Sequence, residues 1–182
     1  MPAHRVLRTV PLVLTLVVAH SASAAGTTAC KALNEALLKL AQTPNHSYTE
    51  ASGAIAGGRS RTTERIATAT AVYIQLQGKW LKGSVTPQQE LEMQQDALKD
   101  DDRNGTCRYV RDEAVDGETS ALYATHKQDD GGKSDTQIWI SRKRGLPLRQ
   151  VVHLSVGSGE TGESQMTTKY VYENVRAPVG AS

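Results

Sequence analysis

The sequence predicts an α+β domain: a curled antiparallel β-sheet (half-barrel) with an N-terminal helix and a second helix covering the concave face. Three observations carry this. Strand-like runs recur at regular spacing from His46 to Val175 and are joined by short loops, the pattern of antiparallel pairing. Only two helical patterns occur, both early in the chain, which keeps helices and strands apart. A sheet of seven or more strands tends to curl. Its inner face has to be filled, and the two helices are the available filling.

The chain opens with a secretory leader. His4, Arg5 and Arg8 form a short basic region, Val10 to Ala19 is an apolar run broken by Pro11 and Thr15, and Ala22-Ser23-Ala24 is a small-x-small cleavage site. The apolar run is about ten residues, too short to span a bilayer. Residues 1–24 therefore read as a signal peptide, 25–178 as a single domain with a core of its own, and 179–182 as a flexible tail. Loss of Arg5 and Arg8 with the leader leaves 19 basic residues against 19 acidic ones. A mature chain without net charge argues against nucleic-acid binding and against attachment to membranes by charge.

Two cysteines remain, Cys30 and Cys107. Cys30 is too far from the apolar run for lipid attachment, and Thr27-Thr28-Ala29 is a poor lipidation signal. In an exported protein the even pair reads as a disulfide, and the long loop it closes gives roughly 4 kcal/mol in loop-entropy terms. Two free redox thiols are the alternative, which lacks a C-x-x-C. There is no Phe, with six Tyr and two Trp, so the core is aliphatic with tyrosines at its margins.

Cys30, Leu33, Leu37 and Leu40 form one face of an amphipathic helix over Thr28 to Gln42. It is a core-facing stripe, not a cofactor box, and Pro44 ends it. His46 to Ser52 and Arg61 to Thr70 read as strands, with Gly57-Gly58 turning between them. Ala71 to Leu76 alternates, Gln77-Gly78 turns, and Lys79 to Lys82 returns. Thr86-Pro87-Gln88-Gln89 starts the second helix: Thr86 is the N-cap, Pro87 fits the first helical position, and Gln89 reaches back as a capping-box partner. That helix runs to about Lys99 and is mostly polar, with Leu91, Ala97 and Leu98 as its apolar side. The later strands are Thr106 to Glu113, Glu118 to Lys127 after the turn Asp116-Gly117, the hairpin Asp135 to Leu154, and Gln165 to Val175. Met166, Tyr170 and Tyr172 share a face of the last strand. The loops are Asp129 to Gly132 and Gly157 to Gly162.

The hairpin's parity is informative. Ile138 and Ile140 share one face, and Leu148, Val152 and Leu154 share one face of the returning strand. For these sets to meet, paired positions must sum to an even number. A three-residue loop, Lys143-Arg144-Gly145, meets this and puts Gly145 where φ > 0 is needed. Ile140 then lies opposite Leu148. Pro147 has no N–H and belongs at a strand start or an edge. Trp139 points away from the isoleucines, onto a second layer or a partly wet face.

No motif carries catalysis. Asp100-Asp101-Asp102-Arg103-Asn104-Gly105 matches the first half of a calcium loop, but Arg111 stands where the bidentate Glu belongs, so it reads as a helix end with an Asn-Gly turn. His126 and His153 lie on separate strands and read as solvent-facing, and no three ligands are set for zinc. No Ser sits in a G-x-S-x-G elbow, and Gly157-Ser158-Gly159 lacks what a phosphate loop needs. The expectation is no catalytic residue, no metal and no cofactor: a protein that is not an enzyme.

Ile138-Trp139-Ile140-Ser141 followed by Gly145-Leu146-Pro147-Leu148-Arg149 resembles a pattern in secreted bacterial proteins with the LolA/LolB-like fold. There a strand ending in Ile-Trp-Ile turns through Gly-Leu-Pro and returns with Leu-Arg. Lys169-Tyr170-Val171-Tyr172-Glu173-Asn174-Val175 with Ala177-Pro178 resembles that family's last strand. Asp116-Gly117-Glu118-Thr119 and Leu122-Tyr123 resemble a mid-sheet strand. The resemblance spans Val72 to Pro178 and is closest to uncharacterised periplasmic members. It implies a half-barrel with an apolar cavity under its helices, in which the carrier of the family holds lipoprotein acyl chains. Each methylene hidden from water is worth roughly 0.8 kcal/mol. The chain departs from the carrier in lacking Phe and in the expected Cys30–Cys107 bridge.

The implied protein is a periplasmic carrier or binding protein for a lipid, acyl chain or other apolar ligand. The candidate cavity lining is Ile138, Ile140, Leu148, Val152, Leu154 and Tyr170. The expected partners are a lipid or lipoprotein ligand, or a periplasmic or envelope protein, with no nucleic acid and no integral membrane span. A structural or protein-interaction module with a filled core is the alternative.

Overall fold

A computed structural model of the chain describes residues 24–129, 131–156 and 163–181. Residues 1–23 of the expected leader lie outside the described residues, as does the loop at 157–162, and the expected cleavage after Ala24 falls at the first residue of helix α1. Among the described residues two helices, α1 (Ala24–Gln42) and α2 (Pro87–Asn104), accompany nine strands. The strands are β1 (Asn45–Gly53), β2 (Arg61–Ala67), β3 (Val72–Leu76), β4 (Lys79–Lys82), β5 (Gly105–Val115), β6 (Glu118–Asp129), β7 (Gly132–Ser141), β8 (Pro147–Val156) and β9 (Glu163–Val171). A 3-10 turn, Ala54–Ala56, follows β1.

The strands form one antiparallel sheet in the order β4-β3-β2-β1-β9-β8-β7-β6-β5. It does not close: β4 and β5 each have one neighbour, and α2 carries the chain between these two edges. The β1–β9 pairing, from His46↔Val171 to Gly53↔Ser164, joins the two halves of the sheet. This is the curled half-barrel, with α1 packed on α2, β5 and β8, and α2 also on β5 and β6.

Local chemistry explains the elements. The capping box at Thr86 forms: Gln89 Oε1 accepts from Thr86 N–H at 2.9 Å, and Gln89 N–H donates to Thr86 Oγ1 at 3.3 Å. Gln77 and Gly78, with φ of 52° and 78°, and Asp116 and Gly117, with φ of 49° and 82°, give two-residue hairpin turns of the hand that matches strand twist. β2 stops at Ala67, short of the expected Thr70, because Thr68 turns the chain: its N–H donates to Ala71 O at 2.8 Å and its Oγ1 accepts from Ala71 N–H at 3.0 Å. β9 ends at Val171, short of the expected Val175, and Tyr172 leaves the ladder to donate its hydroxyl to Pro147 O. The backbone stays helical through Asn104, so the stretch resembling a calcium loop ends α2.

The β7–β8 hairpin corrects one expectation. Over the strand body the even parity holds, with Ile138 opposite Gln150, Thr136 opposite Val152 and Ser134 opposite Leu154. At the turn it breaks. Ser141 N–H donates to Leu146 O at 2.9 Å, and Ser141 Oγ accepts from Arg144 N–H at 2.7 Å. These bonds close a loop of four residues, Arg142 to Gly145, instead of three, with Gly145 at φ 60°. An even loop reverses the parity, so Ile140 faces Pro147, and a β-bulge at Leu148 restores it before Trp139 meets Arg149. Leu148 is thereby turned away from Ile140.

The sheet consequently carries apolar clusters on both faces. Leu33 and Ala36 of α1 pack on Ala121, Tyr123, Ile138 and Ile140, with Leu37 and Cys107 alongside. On the opposite face Trp139 packs with Val115, Leu122, Leu148 and Val151. Trp139 is sealed there by the Arg149 guanidinium, 5.1 Å from its ring centroid, and donates its indole N–H to Glu113.

Candidate ligand cavity

Beyond the filled cluster under Leu33, the helices and the sheet separate. A cavity of about 470 Å³ opens between α1, α2 and the strands β1, β2 and β9. Its helix walls are mostly aliphatic: Leu37, Leu40 and Ala41 from α1, Met93 and Ala97 from α2, with Gln94 and Glu90 of α2 as their polar members. Its floor is polar. Strand alternation puts Asn45, Ser47 and Thr49 of β1 on the inner face, and the register sets Ser47 beside both Arg65 and Tyr170, and Thr49 beside Thr168. His46 and Tyr48 point outward, with their rings stacked at 4.2 Å.

The floor groups are mostly satisfied. Thr49 Oγ1 and Thr168 Oγ1 lie 2.9 Å apart, and Tyr170 donates to Gln150 Oε1 at 3.0 Å. Asn45 donates through Nδ2 to Thr43 O at 2.8 Å, and its buried Oδ1 has no partner among the described residues. Arg65 pairs with Glu90, the acidic residue in the first turn of α2. The side chains are 30% and 25% exposed, so the pair sits at the boundary of the cavity and not deep in it.

Burial pushes the Tyr170 phenol up to about 12 from its usual 10.0, against a smaller downward pull from the Arg65 charge. A proton held more tightly in the folded state stabilises fully below the unfolded pKa, and that stability is lost as pH rises through the folded one. Urea unfolding should therefore show stability falling between pH 10 and about 12. Burial raises the Tyr172 phenol as well, so Tyr170→Phe should lessen that decline without abolishing it and leave the slope below pH 9 unchanged; an equally steep decline in the variant would contradict the assignment.

Of the lining expected from sequence, Tyr170 borders this cavity. Ile138 and Ile140 belong to the filled cluster with Leu33. Ile140 also edges a second hollow, of about 370 Å³, beside Glu35, Lys39 and Arg142. Val152 and Leu154 share the inner face with Ile138 by register, but do not border the main cavity. Leu148 is on the opposite face, in the Trp139 cluster, because of the bulge. Sequence reading missed Ser47, Thr49, Arg65 and Thr168. The available signal was the reversed polarity of β1, hydroxyls on one parity and aromatic rings on the other.

Cys107 is half-buried on β5 against the Leu33 cluster, and the side chain of Cys30 lies outside the described residues. His126 Nδ1 meets Asp135 Oδ1 at 2.8 Å on the surface, and His153 is exposed. Among the described residues no three ligating side chains group for a metal ion, and no helix is long and apolar enough to cross a membrane.

The sequence matches no protein-family model and no curated protein. Solved structures resemble it. LprF from Mycobacterium bovis is 11% identical over 87% of this chain and 100% of its own, with a TM-score of 0.46. A LolA superfamily protein from Nitrosomonas europaea is 6% identical over 85% of this chain and 96% of its own, at 0.28. MucB in complex with MucA(peri) is 17% identical over 83% of this chain, at 0.49, and the match spans 60% of the MucB chain. Each of these likenesses has a TM-score below 0.5, and the fold stands on its own strand order and register.

Proposed function

We propose that this chain is a LolA-like, periplasmic, non-enzymatic binding or carrier protein for a lipid, an acyl chain or another apolar ligand. Residues 1–24 would be its cleaved leader and 25–178 its single working domain. The observation that carries the reading is the 470 Å³ cavity with mostly aliphatic helix walls, within the usual size of small-molecule sites. A chain laid along Leu37, Leu40 and Met93 gains roughly 0.8 kcal/mol per buried methylene. A Cys30–Cys107 bridge would staple α1 to β5 at its filled end, where Cys107 already packs beside Leu33 and Ala36. The other end of α1, which bounds the cavity, would stay able to move. The partners would be a lipid or lipoprotein, or an envelope protein.

The filled cluster under Leu33 favours a second reading, a structural or protein-interaction module. One experiment separates the two. Native mass spectrometry of periplasmic protein should show a retained lipid, and a fluorescent acyl probe should displace it. Ala97→Trp fills the cavity from an exposed helical position. It should weaken probe binding at least ~10-fold, with stability changed by about 1 kcal/mol or less. If no lipid is retained and no probe binds, the interaction module is the better reading.

A further inference from the structure

The cavity's charges indicate which amphiphile it takes. We infer that the ligand is a single-chain amphiphile with an uncharged, hydroxyl-bearing head, and that Glu90 enforces this choice. The inference rests on the binding reading above and names its ligand class.

Among the described residues Arg65 and Glu90 are the charged side chains that line the cavity, and they neutralise each other across its boundary. A ligand carboxylate or phosphate could reach Arg65 only by displacing Glu90 or lying beside it, and either leaves a partly buried negative charge opposed by a like one. A cationic head meets the same obstacle with Arg65. Charges taken from water without a partner are strongly disfavoured, so both charged classes are selected against.

The remaining floor chemistry suits hydroxyls. In the Thr49–Thr168 pair one hydroxyl donates to the other, which leaves one O–H and several lone pairs free for a ligand. Ser47 lies next to them on β1, two residues from Thr49, and its hydroxyl reaches only a long 3.5 Å contact with Arg65 O. These groups form a row of neutral donors and acceptors opposite the mostly aliphatic walls. A glycerol or a sugar head would meet them, with its chain toward Leu37 and Leu40. The volume of 470 Å³ suits one acyl chain and not a diacyl lipid.

The test is displacement of a fluorescent acyl probe from the full mature protein at pH 8.5 by tetradecyl-chain competitors below their micelle concentrations. Monomyristoylglycerol or tetradecyl glucoside should bind at least tenfold more tightly than myristate and tetradecyltrimethylammonium. Success of the glycerol head alone, the sugar head alone, or both supports the inference and assigns the source of the hydroxyls. Glu90→Gln should release the Arg65 charge and raise myristate affinity at least tenfold while lowering that of the ammonium. Glu90→Asp should keep the wild-type order. Myristate binding as well as the neutral heads in the wild-type protein overturns the inference and leaves the binding reading standing. Failure of every chain to bind removes the binding reading itself.

Discussion

Leu33→Ala is expected to cost about 3 kcal/mol of folding stability, and Leu40→Ala, two turns along the same helix face, about 1 kcal/mol. Both residues belong to one apolar stripe, yet their surroundings differ. Leu33 is 2% exposed and is enclosed by Ala36, Ala121, Tyr123, Ile138 and Ile140. Removing its isobutyl end leaves a void that tightly packed neighbours cannot close. Leu40 is half-buried and already faces the open cavity, so truncation enlarges existing space and forfeits fewer contacts. Urea midpoints at pH 7 with an unchanged m-value would measure both. Equal losses would mean that the space beneath Leu40 is filled in solution, and the proposed ligand chamber would go with it.

Gly53→Ala is expected to be of similar severity, about 3 kcal/mol or more. Gly53 ends β1 with φ 84° and ψ −153°, a region open almost only to glycine. An added Cβ would also lie 2.1 Å from Glu163 O and 2.9 Å from Ser164 Cα. Both contacts are backbone, so no side-chain rotation relieves them. Gly53 pairs with Ser164, in the ladder that joins the two halves of the sheet, and Ser164 Oγ also accepts from Ile55 N–H at 3.1 Å. The strain therefore falls on the seam of the half-barrel. Gly78→Ala is the control: its φ is 78°, but a Cβ there meets nothing within 4 Å, so its cost should be about 1 kcal/mol. Amide exchange should show β1 and β9 loosened in Gly53→Ala alone. Matching behaviour of the two variants would contradict the close approach.

Much of the fold was legible because its signals are local. The Leu33–Leu37–Leu40 stripe, the Thr86–Gln89 capping box and the turns at Gln77-Gly78 and Asp116-Gly117 each depend on a few adjacent residues. The hairpin shows where locality ends. Parity gave the register from Asp135 to Trp139, but the choice between three and four loop residues depended on Ser141 capping the turn, and the bulge at Leu148 followed from that. The cavity was hidden for a different reason. Sequence reading looks for an inner face made of Ile, Val and Leu, and those residues mark where the half-barrel is packed solid. Where it is hollow, the sheet presents Ser47, Thr49, Arg65 and Thr168. The polarity of β1 is a local sign of Ser47 and Thr49, but Thr168 joins them only through the β1–β9 pairing, which spans most of the chain.

The proposed ligand chamber is tested most directly by backbone NMR of residues 25–182 during titration with a single-chain amphiphile. Saturable shift changes should concentrate at Ser47, Thr49 and Thr168 on the sheet and at Leu40, Ala41 and Ala97 on the helices, while Ala121 and Ile138 stay still. Changes confined to the outer face around Trp139, or none at all, would contradict a binding site between the helices and the sheet.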